Sequence, residues 1–105
     1  MSTFDKREKA QEAKFAHDAQ LTFKAEARRN KLLAIWVAEL IGRSDVDAYI
    51  AEVIASDFEE AGDEDVYRKI SADLEAGGAD IAEVDIRAKM AELFSQAKQE
   101  ILKEG

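Results

Sequence analysis

Neither cysteine nor proline occurs in this sequence, and glycine occurs only five times. Without cysteine there can be no disulfide, no thiolate metal site and no thiol catalysis. Without proline, only glycine and capping residues are left to end helices. No apolar run approaches the roughly 18 residues of a membrane span. The opening MSTFDKREK leads into no hydrophobic stretch, so no secretory signal is expected and a cytoplasmic address follows by default. No alternating, β-branched segment is bounded by turns, so no strand is expected. Internal repeats and low-complexity segments are likewise missing.

What remains is 105 residues, 47% hydrophobic and 36% charged, the composition of one globular domain. The net charge of −8 is unevenly spread. Residues 1–31 carry eight Lys/Arg against five Asp/Glu, residues 32–85 three against fifteen, and residues 86–105 four against three. A mildly basic start on an acidic body argues against nucleic-acid binding, which needs a basic face. It fits an arm that docks into a protein surface while the body stays outside.

Residues 3–41 contain neither glycine nor proline and are dense in strong helix formers. At about 1.5 Å per residue, one helix of that length would reach nearly 60 Å. Leu33, Trp36, Val37, Leu40 and Ile41 form an i, i+3, i+4, i+7, i+8 stripe that requires a partner surface. Before residue 15 the only apolar side chains are Met1, Phe4, Ala10 and Ala13. The second half therefore reads as a core helix. The first half reads as a flexible or marginally helical arm, near the length at which a lone helix is marginal in water.

Gly42 is placed to end this helix. Ser44 is expected to cap a second one, with Val46, Tyr49, Ile50, Val53, Ile54 and Phe58 on its apolar face. Gly62 stops that helix, and Asp63 is expected to cap a third, burying Val66, Tyr67, Ile70 and Leu74 before Gly77 and Gly78. Asp80 and Glu83 match a capping box for a fourth, with Asp85 as a later alternative. Its stripe is Ile86, Met90, Leu93, Phe94, Ala97 and Ile101. Short connections favour antiparallel neighbours. The expected fold is all-α: an arm over residues 1–18 and a four-helix bundle over 19–105.

Candidate sites compete with plain structural roles. His17 precedes Asp18, but adjacent helical side chains point apart and no Ser or Thr sits at helical spacing to act as nucleophile, so a surface histidine is the simpler reading. The acidic run Asp57, Glu59, Glu60, Asp63, Glu64, Asp65 lacks the ligand spacing of a calcium loop; helix capping and solvation explain it, with an acidic binding surface as the alternative. Arg28, Arg29 and Lys31 form a basic patch that either pairs with the acidic body or contacts the phosphates of ATP or ADP, although no glycine-rich loop is present to cradle them. No cofactor or metal is otherwise expected. Trp36 reads as core. Phe4 and Phe15, aromatics on a polar helix, read as interface anchors, with packing on the bundle as the alternative for Phe15.

Three stretches, TFDKREKAQEAKFAHDAQLTFKAEARRNKLLAIW, SDFEEAGDEDVYRKISADL and IRAKMAEL, resemble the zeta subunit, the small bacterial inhibitor of the F-type ATP synthase. EARRNKLL and SDFEEAGDEDV are the most specific parts. The segment between GDEDV and IRAKM is longer here than is usual in that family, with GGADIAEVD intervening, and so lengthens the turn before the last helix. The resemblance implies a four-helix bundle with an inhibitory arm, a regulatory protein and not an enzyme, peripheral to the membrane-bound synthase and monomeric when free. It further implies that residues Ser2 to Lys14 enter an interface between the α and β subunits beside the γ shaft, blocking ATP hydrolysis while largely sparing synthesis. On that basis Phe4, Asp5, Arg7, Glu8, Gln11, Glu12, Lys14 and Phe15 would line the docked helix. The alternatives are a nucleotide-sensing regulator using Arg28, Arg29 and Lys31, and a helical adaptor with little inhibitory activity.

Overall fold

The proline-free and glycine-free opening forms one unbroken helix, α1, over Ser2–Ile41. This computed structural model describes residues 2–58 and 62–104, with side chains described from Ala19 onward. Three shorter helices follow, α2 over Val46–Ser56, α3 over Glu64–Ala76 and α4 over Glu83–Glu104, and no strand occurs among the described residues. α1 packs against all three, most extensively against α4, while α2 and α4 make no direct contact. α1 and α3 thus form the close diagonal of the bundle and α2 and α4 the wide one. The long axis measures 64 Å against 25 and 22 Å across, close to the ~60 Å of a 40-residue helix.

The apolar stripes meet in one core. Leu33, Val37, Tyr49, Val53, Val66 and Ile70 are fully buried, joined by Leu74, Ile86, Met90 and Leu93. Burying each large aliphatic side chain contributes roughly 1.5–3 kcal/mol, so this cluster carries the bundle's stability. Trp36, Ile41, Val46, Ile50 and Tyr67 pack on its margin. Two expected core positions are not core: Leu40 is 44% exposed and Phe58 78% exposed. Leu40 is the penultimate residue of α1, and Phe58 lies two residues past the end of α2.

Glycine ends α1 and α3 by the same means, whereas α2 ends at Ser56 with Asp57 as its C-cap, six residues before the Gly62 expected to stop it. Gly42, at φ +70°, takes the left-handed conformation that lets the Arg43 N–H reach back to the Ala38 carbonyl at 2.9 Å. At the end of α3, Gly78 plays that part at φ +80°, with the Ala79 N–H bonding the Leu74 carbonyl at 2.8 Å. Gly77 has ordinary dihedrals but lies against α1. A Cβ there would sit 2.5 Å from Ile41 Cγ2 and 2.6 Å from Ile41 Cβ. The close approach of α1 and α3 requires a residue without a side chain at position 77.

The helix starts depart from expectation. α2 is preceded by Asp45, not Ser44, and the Asp45 side chain makes no cap bond. Its carboxylate is taken instead by Arg43 Nε at 2.6 Å. Asp63 does precede α3, also without a side-chain cap bond, because its carboxylate pairs with Arg29. α4 begins at Glu83, so neither the Asp80–Glu83 box nor a cap at Asp85 forms. The third and fourth amides of α4, those of Asp85 and Ile86, donate to the Ala82 carbonyl at 3.0 Å each. Glu83 turns its carboxylate to Arg87 Nε at 3.0 Å.

Candidate functional site

The arm residues expected to contact a partner, Phe4, Asp5, Arg7, Glu8, Gln11, Glu12, Lys14 and Phe15, have backbone within α1; their side chains lie outside the described residues, as do those of His17 and Asp18. Helical geometry orders the positions. Positions 4, 8, 11 and 15 follow i, i+4, i+7, i+11 and share one line along the helix, flanked by 5 and 12 on one side and 7 and 14 on the other. All eight fall within about half of the circumference. Two heptads separate Phe15 from Arg29, a drift of only about 40°, so this half continues into the face of α1 that builds the core.

The side chains of α1 change character along its length. Ala19, Gln20, Phe23 and Lys24 are exposed, and the first buried residue described is Ala25. From there Arg29, Asn30, Leu33, Ala34, Val37 and Ala38 are buried. The bundle therefore grips α1 from about residue 25 onward.

Where that grip begins, the basic patch and the acidic run meet. Arg29 is 2% exposed and Asn30 1%. Arg29 Nη1 pairs with Asp63 Oδ1 at 2.9 Å, while its Nε and Nη2 donate to Asn30 Oδ1 at 3.1 and 3.0 Å. Asn30 Nδ2 donates to Asp57 Oδ2 at 3.0 Å. The guanidinium also stands 5.9 Å from the Phe94 ring centroid of α4. This network joins α1 to the α2–α3 connection and to α4. Burial pushes the Asp57 carboxyl above its ordinary value, against the opposing bond from Asn30, and burial likewise raises Glu26 beside it.

Arg28 turns elsewhere. Its Nη1 and Nη2 bond the two Glu104 carboxylate oxygens at 2.6 and 2.8 Å, and Nη1 stands 3.5 Å from Glu100. The Glu104 carboxyl is held below its ordinary range by that bond. Lys31 is exposed. The three members of the expected basic patch therefore do not converge: Arg29 is drawn inward, Arg28 clasps the end of α4, and Lys31 faces solvent. The acidic run is divided in the same way. Asp57 and Asp63 join the Arg29–Asn30 network, Asp65 is 2% exposed and accepts from the Val66 N–H at 2.8 Å, and Glu64 pairs with Arg87 at 3.0 Å. Glu59 and Glu60 lie outside the described residues.

A second polar cluster surrounds Tyr49, whose hydroxyl donates to Asp73 at 2.8 Å. Lys69 joins Asp73 at 3.0 Å to Glu52 at 2.9 Å, and Glu52 also pairs with Arg43. Burial, then the bond to Asp73, raises the Tyr49 phenol far above its ordinary value. Its proton stays in place, and the cluster ties α2 to α3 without offering an acid or base. Among the described residues no group of acidic and histidine side chains could hold a metal. No described helix is long and apolar enough to cross a membrane.

The Arg29–Asn30 network joins the two stretches on which the sequence resemblance is most specific, EARRNKLL and SDFEEAGDEDV. Comparison with known proteins agrees with it. A solved structure, described as a solution NMR structure, superposes with a TM-score of 0.70 at 48% identity, covering 81% of this chain and 99% of that one. A search of curated protein sequences finds no match. The family model for ATPase inhibitor subunit zeta matches residues 1–100. Four helices with a long first one, its two signature stretches bonded together and nearly the whole length matched, place this chain in the ATPase inhibitor subunit zeta family.

Proposed function

We propose that this chain is a regulatory subunit that inhibits ATP hydrolysis by the F-type ATP synthase. Residues 2–14 of α1 enter a catalytic interface between α and β subunits, next to the γ shaft, and the bundle stays outside. The observation that carries the reading is the division of α1, a 40-residue helix in which burial among the described side chains begins only at Ala25. The bundle fixes the direction of the rod; the cleft receives its far end. Helical segments of about a dozen residues are marginal in water by themselves, so packing in the cleft supplies stability that the bundle does not.

Phe4 and Phe15 are the apolar anchors, and Asp5, Arg7, Glu8, Gln11, Glu12 and Lys14 form the polar contacts beside them. A bundle 25 by 22 Å across cannot follow the arm into a cleft that admits a single helix about 10 Å wide. It therefore stops the arm at a fixed depth. An interface that closes on the arm during hydrolysis and releases it when rotation reverses gives inhibition in one direction only.

The test compares ATP hydrolysis and ATP synthesis by the matching synthase with full-length protein, with a chain lacking residues 2–14, and with neither. Full-length protein is expected to suppress hydrolysis and leave synthesis largely intact. The truncated chain is expected to lose inhibition while its melting temperature stays nearly unchanged. Equal suppression by both chains, or a collapse in stability on truncation, overturns the division of roles.

A further inference from the structure

An apolar groove of about 810 Å³ opens where the bundle begins, lined by α1, Ile54 of α2 and the end of α4. Leu21 and Phe23 of α1, with Ile101 and Leu102 of α4, form its floor and walls, and Lys24 and Lys31 stand on its rim. Phe23 is 67% exposed and Leu102 59%. Large apolar side chains left open together on a chain this charged mark a contact surface. The Arg28–Glu104 and Arg28–Glu100 pairs cross-link α1 to the end of α4 beside the groove, so its two walls are held in register.

We infer that this groove is a second contact with the ATPase head, taking an amphipathic segment with acidic residues at the mouth of the cleft. The inference rests on the proposed function. Gln20, the first groove residue, lies six positions past Lys14, about 9 Å along the same helix axis. Residues 20–31 therefore come to the mouth of any cleft that holds residues 2–14. A helix entering between two subunits meets a wall on each side. The stripe through Phe4 and Phe15 runs on the core side of α1. Lys24 and Lys31, seven residues apart, lie on the reverse side, facing the other wall, and Phe23 lies between the two sides. The lysine rim selects an acidic occupant, and Phe23 and Leu102 supply its apolar anchors.

The test uses the full chain and the purified catalytic head. Phe23→Ser with Leu102→Ser, and separately Lys24→Glu with Lys31→Glu, are compared with wild type in inhibition and in binding at several salt concentrations. The apolar pair is expected to weaken binding by about tenfold or more, with melting temperature unchanged because both side chains are exposed. The charge pair is expected to slow association and flatten its salt dependence. Independently of folding effects, Phe23→Cys places one thiol in a chain that has none, and the head is expected to slow its alkylation.

Unchanged binding by the variants and unprotected alkylation beside an inhibiting wild type overturn the groove and leave the arm mechanism standing. A wild type that neither binds nor inhibits overturns both. Slowed alkylation by ATP or ADP alone, or by raising the concentration of the chain itself, assigns the groove to a nucleotide or to a second copy and overturns it as a contact with the head.

Discussion

Replacing Arg29 by methionine tests the network that anchors α1 in the bundle. Methionine keeps most of the apolar stem against Phe94 and removes the guanidinium. The cost divides into two parts. Asn30 Oδ1 loses both donors, at 3.1 and 3.0 Å, on a residue only 1% exposed; leaving such an acceptor unsatisfied costs about 1–3 kcal/mol. Asp63 loses its ion pair, but its side chain is 52% exposed and regains water, so that part is worth about 0–1 kcal/mol. The total is about 1–4 kcal/mol, a large share of the roughly 5–15 kcal/mol that holds a domain folded. At about 4 °C per kcal/mol for a chain of this size, Arg29→Met lowers the melting temperature by about 4–16 °C. Urea unfolding followed by circular dichroism and Trp36 fluorescence measures it. Two double-mutant cycles then locate the loss. Arg29→Met with Asn30→Leu is expected to show coupling of about 1–3 kcal/mol, because removing both partners leaves less unsatisfied than removing one. Arg29→Met with Asp63→Asn is expected to be nearly additive. A cost for Arg29→Met below about 0.5 kcal/mol, within the ordinary range of surface changes, refutes the argument, as does stronger coupling to Asp63 than to Asn30.

Two further outcomes follow from the geometry. Gly77→Ala is expected to cost about 1–3 kcal/mol through overpacking against Ile41, seen as a lower urea midpoint at unchanged slope; a neutral result would mean that α1 and α3 separate freely. Asp57→Asn should change how stability depends on pH. Burial raises the Asp57 carboxyl in the folded chain, so its contribution is fully present below the ordinary aspartate value and is lost as pH rises through the raised folded value. The difference in melting temperature between wild type and Asp57→Asn should therefore move in favour of wild type as pH is lowered, and movement the other way would show that the charged partners outweigh burial.

The apolar stripes were legible because each is a local pattern. Leu33 and Val37, Tyr49 and Val53, Val66, Ile70 and Leu74, and Ile86, Met90, Leu93 and Ala97 are all buried at the spacing the sequence displays. A stripe does not say what covers it, and so Leu40, next to last in α1, and Phe58, two residues past α2, read as core but are exposed. Caps failed for a related reason. Asp45, Asp63 and Glu83 stand at or next to helix starts, yet arginine claims each carboxylate, and a charged partner outcompetes a lone amide. The splitting of Arg28, Arg29 and Lys31 had a signal that composition hides: Ala25, Arg29, Leu33 and Val37 repeat every four residues, which puts Arg29 in the core phase and leaves Arg28 and Lys31 outside it.

The sequence by itself determined four helices, the glycine ends of α1 and α3 and most of the side chains they bury, since helical period and turn chemistry need only nearby residues. It also determined an opening segment poor in apolar side chains, and a likeness to one family strong enough to be seen in its residues. Tertiary structure decided which carboxylate each arginine meets, that Gly77 must be bare because α1 passes within contact of it, and that Phe23 and Leu102 line one groove. Most of those facts join residues more than 20 positions apart, and the energy of such contacts depends on distances that only the packed helices set.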